Sequence, residues 1–295
     1  LEMWQAETFD EETIERELGW ASDIGFNTAR VYLHDLFWGK DSTGFIERIN
    51  RFLEIASSKG IKPMFVFFDD CWNQTFEAGK QPDPKPGVHN SGWVQSPGSD
   101  RVTDPSTWDP LEEYVKGVLA AFGDDDRILL WDLYNEPGNN KLGSKSLGFL
   151  REMFRWAREA NPSQPISVGV WFDNDELNDF QLANSDIVTF HDYHDAAHLE
   201  EQIGRLKGHG RPMICTEYMA RTNGSFFKTS LPVFKRENVG GINWGLVDGK
   251  TQTKYPWGSE PGSSEPELWF HEIFHQDGTP YLQDEVDLIR SLTSE

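Results

Sequence analysis

Apolar residues continue unbroken from Ile128 through Trp131, and the stretch Ile128–Pro137 then closes in Asn135-Glu136-Pro137. A continuous apolar run of this length predicts a strand buried on both faces. Pro137 has no N–H to give a ladder and stops it. Pro212–Tyr218 has the same form and brings a second glutamate, Glu217, to a strand end. Elsewhere the chain alternates short apolar runs with segments of helical period. The pattern predicts a first strand at Leu1–Trp4, a helix at Asp10–Ile24 with Asp10 as N-cap, and a strand at Asn27–Leu33. A helix follows at Gly44–Lys59, closed by Gly60, then a strand at Ile61–Phe68. After it come a helix at Pro110–Phe122, the strand bearing Glu136, and a helix at Gly143–Ala160 stopped by Asn161-Pro162. A strand at Ile166–Trp171, a short helix at Asp175–Leu182 and a strand at Asp186–His191 follow. The remainder reads as a helix at His198–His209, the Glu217 strand, a helix at Phe226–Glu237, a strand at Gly240–Leu246, and closing helices at Pro266–His275 and Leu282–Leu292.

Strictly alternating strand and helix predicts parallel pairing, and eight such units predict a single (β/α)8 TIM barrel over residues 1–295. The length fits one barrel and leaves no room for a second full domain. Two stretches break the alternation. Residues 70–105, after the third strand, and 247–265, after the eighth, are rich in Gly, Pro and Ser. Long loops after barrel strands lie over the active-site face. Trp72, His89 and Trp93 in the first of them, and Trp171 at the tip of the fifth strand, are therefore candidate subsite residues.

Composition narrows the chemistry. The net charge of −22 argues against nucleic acid and against anionic membrane surfaces, and favours a neutral over an acidic polysaccharide. Twelve Trp suit sugar binding, because pyranose C–H faces lie against indole. Two Cys, Cys71 and Cys215, make no disulfide framework, though a bridge between them stays open. The sequence has no signal peptide and no transmembrane run; it opens at Leu1 without an initiator Met, which reads as a trimmed terminus and favours an exported protein over a cytoplasmic one. No phosphate-cradling Gly motif, nucleophile elbow or metal-ligand spacing is present, so neither a cofactor nor a metal is expected.

Two carboxyl groups on one open barrel face are the minimum equipment for glycoside hydrolysis. Asn135-Glu136-Pro137 on one strand and Thr216-Glu217 on a later one resemble the retaining glycoside hydrolases of the (β/α)8 superfamily, in particular the cellulase-like, family 5-like group. The resemblance covers nearly the whole chain. It implies Glu136 as acid/base, following Asn at the end of the fourth strand, and Glu217 as nucleophile, ending the seventh. It also implies that Asn135 meets the substrate 2-hydroxyl and that Arg30 hydrogen-bonds near the nucleophile. His191 and Tyr193 would flank the catalytic pair, with His194 as the alternative imidazole, and Trp244 would floor the −1 sugar site. Many cellulase-like relatives carry a His near the end of the third strand. This chain has Asp69 and Asp70 there, and His89 is the substitute.

The implied activity is double displacement on β-linked glucan, mannan or xylan, with an oligosaccharide or polysaccharide as partner. The alternative within catalysis is an exo-acting β-mannosidase, β-galactosidase or β-xylosidase. The alternative outside it is a carbohydrate-binding barrel that has lost catalysis, against which stand both Glu residues, Arg30 and Trp244.

Overall fold

The computed structural model describes residues 1–294, which form two compact units. The first comprises residues 1–14, 28–81 and 94–187, and the second residues 15–27, 82–93 and 188 onward.

The first unit holds a four-stranded parallel sheet in the order β1 (Thr28–Tyr32), β2 (Lys62–Asp69), β3 (Leu130–Asn135), β4 (Ile166–Ser167). Arg30 is level with Met64, Met64 with Leu130, and Asp69 with Asn135. All six residues of β3 are buried, as are Pro63–Asp69 of β2, which is the two-sided cover the apolar runs predict. Helix α1 (Glu11–Asp23), of which only residues 11–14 belong to this unit, opens where Asp10 accepts from the Thr13 N–H and hydroxyl at 3.0 and 2.7 Å. α2 (Asp35–Ser58) begins earlier than its periodicity predicts. The His34 ring accepts from the Leu36 N–H, and a non-helical Asp41 separates this extra turn from the expected helix. Phe45, Ile49, Leu53 and Ala56 lie on its fully buried face, where each large side chain contributes roughly 1.5–3 kcal/mol. α3 (Ser99–Val102) is one turn inside the long loop, and α4 (Asp109–Phe122) and α5 (Leu147–Ala160) follow. α6 (Asp175–Asn184) is fuller than predicted, capped by Asn174.

Two expectations in this unit are corrected. Leu1–Trp4 is no strand: Glu2–Trp4 forms a 3₁₀ turn. The Trp4 indole donates to the Tyr32 carbonyl at 2.7 Å and packs edge-on against Phe45, so a side chain ties the segment down. The predicted strand Ile166–Trp171 ends at Ser167. Beyond it side chains take the backbone groups: Ser185 Oγ accepts from Val168 N–H, and Gln181 donates to the Gly169 carbonyl.

The second unit holds a three-stranded parallel sheet, β5 (Val188–His191), β6 (Met213–Tyr218) and β7 (Gly240–Asn243). Its register shifts after Phe190, so that His191 comes level with Glu217. α7 (Ala196–Leu206), α8 (Phe227–Glu237) and α9 (Gln283–Thr293) belong to it. The predicted helix Pro266–His275 does not form. The Arg221 guanidinium donates to the carbonyls of Trp269, His271 and Glu272, and its N–H to that of Phe270. Those acceptors are the ones a helix would have used for its own N–H groups. Neither Cys71 nor Cys215 is in a disulfide. Among the described residues no helix is long and apolar enough to cross a membrane.

Candidate active site

Glu136 follows the last residue of β3 and has φ +45°, a left-handed conformation that a non-glycine residue adopts only when its surroundings hold it there. Its carboxylate Oε2 accepts from Asn139 Nδ2 at 2.7 Å and lies 3.1 Å from the Cys71 thiol. The turn is pinned from below by Asp70, which accepts from Gly138 N–H at 2.9 Å, Ser146 Oγ at 2.8 Å and the Tyr134 hydroxyl at 2.6 Å. Burial pushes the Asp70 carboxyl up to about 7 against the pull of those three donors. Gly138, with φ +91°, has no room for a Cβ, which would lie 2.9 Å from Leu177 Cδ1 and 3.0 Å from the Gly143 carbonyl oxygen.

Beneath Glu136 the strand carries a buried charge network. Arg30, its side chain 4% exposed, donates to Asp132 Oδ2 at 3.0 and 2.6 Å, to Asn135 Oδ1 at 2.7 Å and to the Tyr32 hydroxyl at 2.6 Å. Asn135 in turn donates to Asp69 Oδ1 at 2.9 Å. Arg30 and Asn135, expected at the site, thus meet in this unit. The Trp171 indole donates to the Pro137 carbonyl at 3.1 Å, immediately after Glu136. Trp72 is 37% exposed, and its carbonyl accepts from Asn140.

Glu217, in the second unit, is the penultimate residue of β6 and 6% exposed. The Tyr193 hydroxyl donates to its Oε2 at 2.7 Å, and His191 Nδ1 is 3.5 Å from the same oxygen. The backbone N–H of Asp192 donates to the Glu217 carbonyl. Tyr193 packs edge-on against Trp257 at 5.0 Å and lies 5.6 Å from the His271 ring. His89 is buried in the same aromatic group, 5.4 Å from His271, with Nδ1 on the Tyr255 carbonyl. Burial lowers His89 to about 4 and holds His271 well below the ordinary histidine range, so both rings are neutral at neutral pH. His89 therefore supports the Tyr193–Trp257 group from behind. Trp93 meets Trp244 at 5.3 Å, and Trp244 N–H donates to the Tyr218 carbonyl. His194 turns toward Asp192.

Several residues escaped the sequence reading. Asp132 shares the Arg30 guanidinium with Asn135, and an acid within a buried run was a usable signal. Asn139, Cys71 as a neighbour of Glu136, and His271 carried none.

Comparison with known proteins follows the same line. The model of the cellulase family, glycosyl hydrolase family 5, matches residues 11–250. No curated protein gives a significant match. Among solved structures the chain is similar to the endo-1,4-beta-mannanase from Rhizomucor miehei, at 14% identity and TM-score 0.65, over 97% of this chain and 90% of that one. It is similar to GH5_18 from Streptomyces cattleya in complex with GlcNAc, at 14% identity and TM-score 0.66, over 99% and 76%. It is also similar to the exo-beta-1,4-mannosidase Op5Man5 from Opitutaceae bacterium strain TAV5, at 17% identity and TM-score 0.68, over 100% and 57%. The family and these likenesses give the fold as the (β/α)8 barrel. With the model matched across most of its length, the chain belongs to glycosyl hydrolase family 5, the cellulase family.

Proposed function

We propose that the chain is a retaining β-glycoside hydrolase in which Glu217 is the nucleophile and Glu136 the acid/base, with residues 1–295 acting as one catalytic domain. The observation that carries this reading is the hold on Glu217. A buried carboxylate whose Oε2 accepts a 2.7 Å hydrogen bond from a phenol, with an imidazole alongside, is oriented and kept ready to attack. Glu136 is less buried, at a strained turn, and accepts a hydrogen bond from the Asn139 side-chain amide, a setting suited to passing a proton back and forth.

In the first step Glu217 Oε attacks the anomeric carbon, the glycosidic C–O bond breaks, and Glu136 gives its proton to the leaving oxygen. In the second, Glu136 takes a proton from water, whose oxygen displaces Glu217 and restores the starting configuration. Retention requires the two carboxyl groups to stand about 5–5.5 Å apart in the working enzyme.

The substrate is a neutral β-1,4-linked glycan, with mannan the first to test. The strongly negative chain disfavours acidic polymers, and two of the structures it resembles are a mannanase and a mannosidase. Because one neighbour is named an exo-enzyme and another an endo-enzyme, product analysis on mannan polymer beside a panel of aryl β-glycosides separates the two modes.

The assignment is tested by Glu217→Ala. Hydrolysis should be abolished, and azide should restore turnover to a glycosyl azide of inverted anomeric configuration. Near-normal turnover by Glu217→Gln would remove Glu217 from the role.

A further inference from the structure

Immediately after β5 the chain places a buried carboxylate between two imidazoles. The Asp192 side chain has no exposure, while His194 and His198 are 67% and 41% exposed. His194 Nδ1 is 3.2 Å from Asp192 Oδ1, and His198 Nδ1 is 2.9 Å from Asp192 Oδ2. The two rings stand 4.1 Å apart between centroids, and one ligand atom from each of the three residues lies within 4.8 Å of the others. We propose that Asp192, His194 and His198 form a binding site for one divalent late transition-metal cation of the Zn²⁺ class.

The spacing of the donor atoms fits. Two ligands each about 2.1 Å from a tetrahedral ion are about 3.4 Å apart; His194 Nδ1 is 3.2 Å from one oxygen of Asp192 and His198 Nδ1 is 2.9 Å from the other, and one donor atom from each residue lies within 4.8 Å of the others. Three protein ligands leave a fourth position, which the exposure of both rings opens to water. The donor set selects the metal: imidazole nitrogen suits Zn²⁺, Cu²⁺ and Ni²⁺, whereas Ca²⁺ and Mg²⁺ ask for oxygen.

Charge points the same way. A carboxylate withdrawn from water needs its charge matched. A single divalent ion satisfies the carboxylate and lets both rings bind as neutral ligands through Nδ1. The backbone already holds Asp192 for this, since the His194 N–H donates to Oδ1 at 2.9 Å. The ligands are divided between a strand tip and the first turn of α7, where Asp195 caps the helix by accepting from the His198 N–H, which is why no sequence spacing announced them. Tyr193 lies within the chelated segment, so the ion would stiffen the turn that presents its phenol to Glu217. The site itself depends on no assignment of catalytic roles.

The experiment uses the full chain without a polyhistidine tag. Zn²⁺ is titrated calorimetrically into chelator-treated wild type, His194→Ala and His198→Ala, and Co²⁺ is followed by its visible d–d absorption. Wild type should take up one equivalent and unfold at a higher temperature with the ion bound. Each His variant should bind at least tenfold more weakly while keeping the near-ultraviolet circular dichroism of wild type. Absence of Zn²⁺ binding by wild type at millimolar ion, or equal affinity in wild type and both variants, overturns the proposal. Asp192→Asn adds a check: binding as tight as wild type would exclude the carboxylate as a ligand and overturn the site as drawn.

Discussion

Tyr193 and Glu217 are joined by one 2.7 Å hydrogen bond, from the phenol to Oε2 of the carboxylate, and the phenol is itself wedged against Trp257 and close to His271. The wedge fixes where the hydroxyl points before substrate arrives, so the bond costs no ordering during reaction. A hydrogen bond to a charged group is worth roughly 1.5–3 kcal/mol. Tyr193→Phe keeps the ring and removes only the donor. Its kcat/KM should fall about 10- to 100-fold with stability nearly unchanged, and steady-state kinetics equal to wild type would deny the bond a catalytic share.

Asn139 makes the corresponding contact to Glu136, at 2.7 Å. Since Glu136 is proposed to protonate the leaving oxygen, the loss in Asn139→Ala should depend on that oxygen. We expect about a tenfold fall with an unactivated oligosaccharide and little change with a dinitrophenyl glycoside, whose leaving group needs no proton. Equal losses on the two substrates would make Asn139 a structural residue only.

Arg30 and Asp132 are 4% and 1% exposed, and their charges balance inside the sheet. Removing one partner strands the other, which typically costs 3–5 kcal/mol. Asp132→Ala should therefore lose about that much in urea unfolding. The Arg30–Asn135 bond at 2.7 Å places Asn135 on the same network, so the variant should also lose activity beyond its unfolded fraction. A variant as stable as wild type would mean the charge is matched elsewhere.

Asp70 gives stability an unusual dependence on pH. Its carboxyl lies at about 7 in the fold, above its ordinary 3.8, because burial outweighs the donors around it. A group raised on folding contributes its stability in full below the unfolded value of about 4 and loses it as pH rises through about 7. His34 and His89 act oppositely. Burial lowers each from 6.5 to about 4, so what they contribute above pH 6.5 is lost as pH falls through about 4. Asp70→Asn keeps an acceptor for Gly138 and Ser146 and can donate to the Tyr134 oxygen, but it does not titrate. Relative to wild type it should therefore gain stability between pH 5 and pH 8, on the order of 2 kcal/mol at 1.36 kcal/mol per pKa unit. Urea unfolding at the two pH values reads this directly. Identical pH slopes for the two proteins would place the titration elsewhere.

What the sequence reveals, and what it hides, divides along physical lines. Strands β2 and β3 were legible because burial on both faces leaves an apolar run, and Pro137 marks an end. Helices α4 and α8 were legible from their period to within a residue, and α7 to within three. Leu1–Trp4 misled because an apolar N-terminal segment reads alike whether its backbone enters a ladder or one indole fastens it. Pro266–His275 misled because its buried Trp269, Phe270, Ile273 and Phe274 sit at helical spacing, while the acceptors go to an arginine 45 or more residues upstream. The two glutamates announce themselves by position. Their supports, Asn139 and His271, come from a turn and an irregular segment whose placement no local pattern encodes.

Arg221 holds the carbonyls of Trp269, His271 and Glu272 and pairs with Glu285 in α9, while Val247 bridges to Phe274. Both ends of the stretch 248–268 are thus anchored independently of what lies between them. Trp257 and Tyr255 within it must stay, since one wedges Tyr193 and the other holds His89. Its exposed positions Glu260, Pro261 and Ser264 can change without touching the Arg221 fastening, so those are where new glycan preferences would arise in evolution, or be engineered, at least cost to folding.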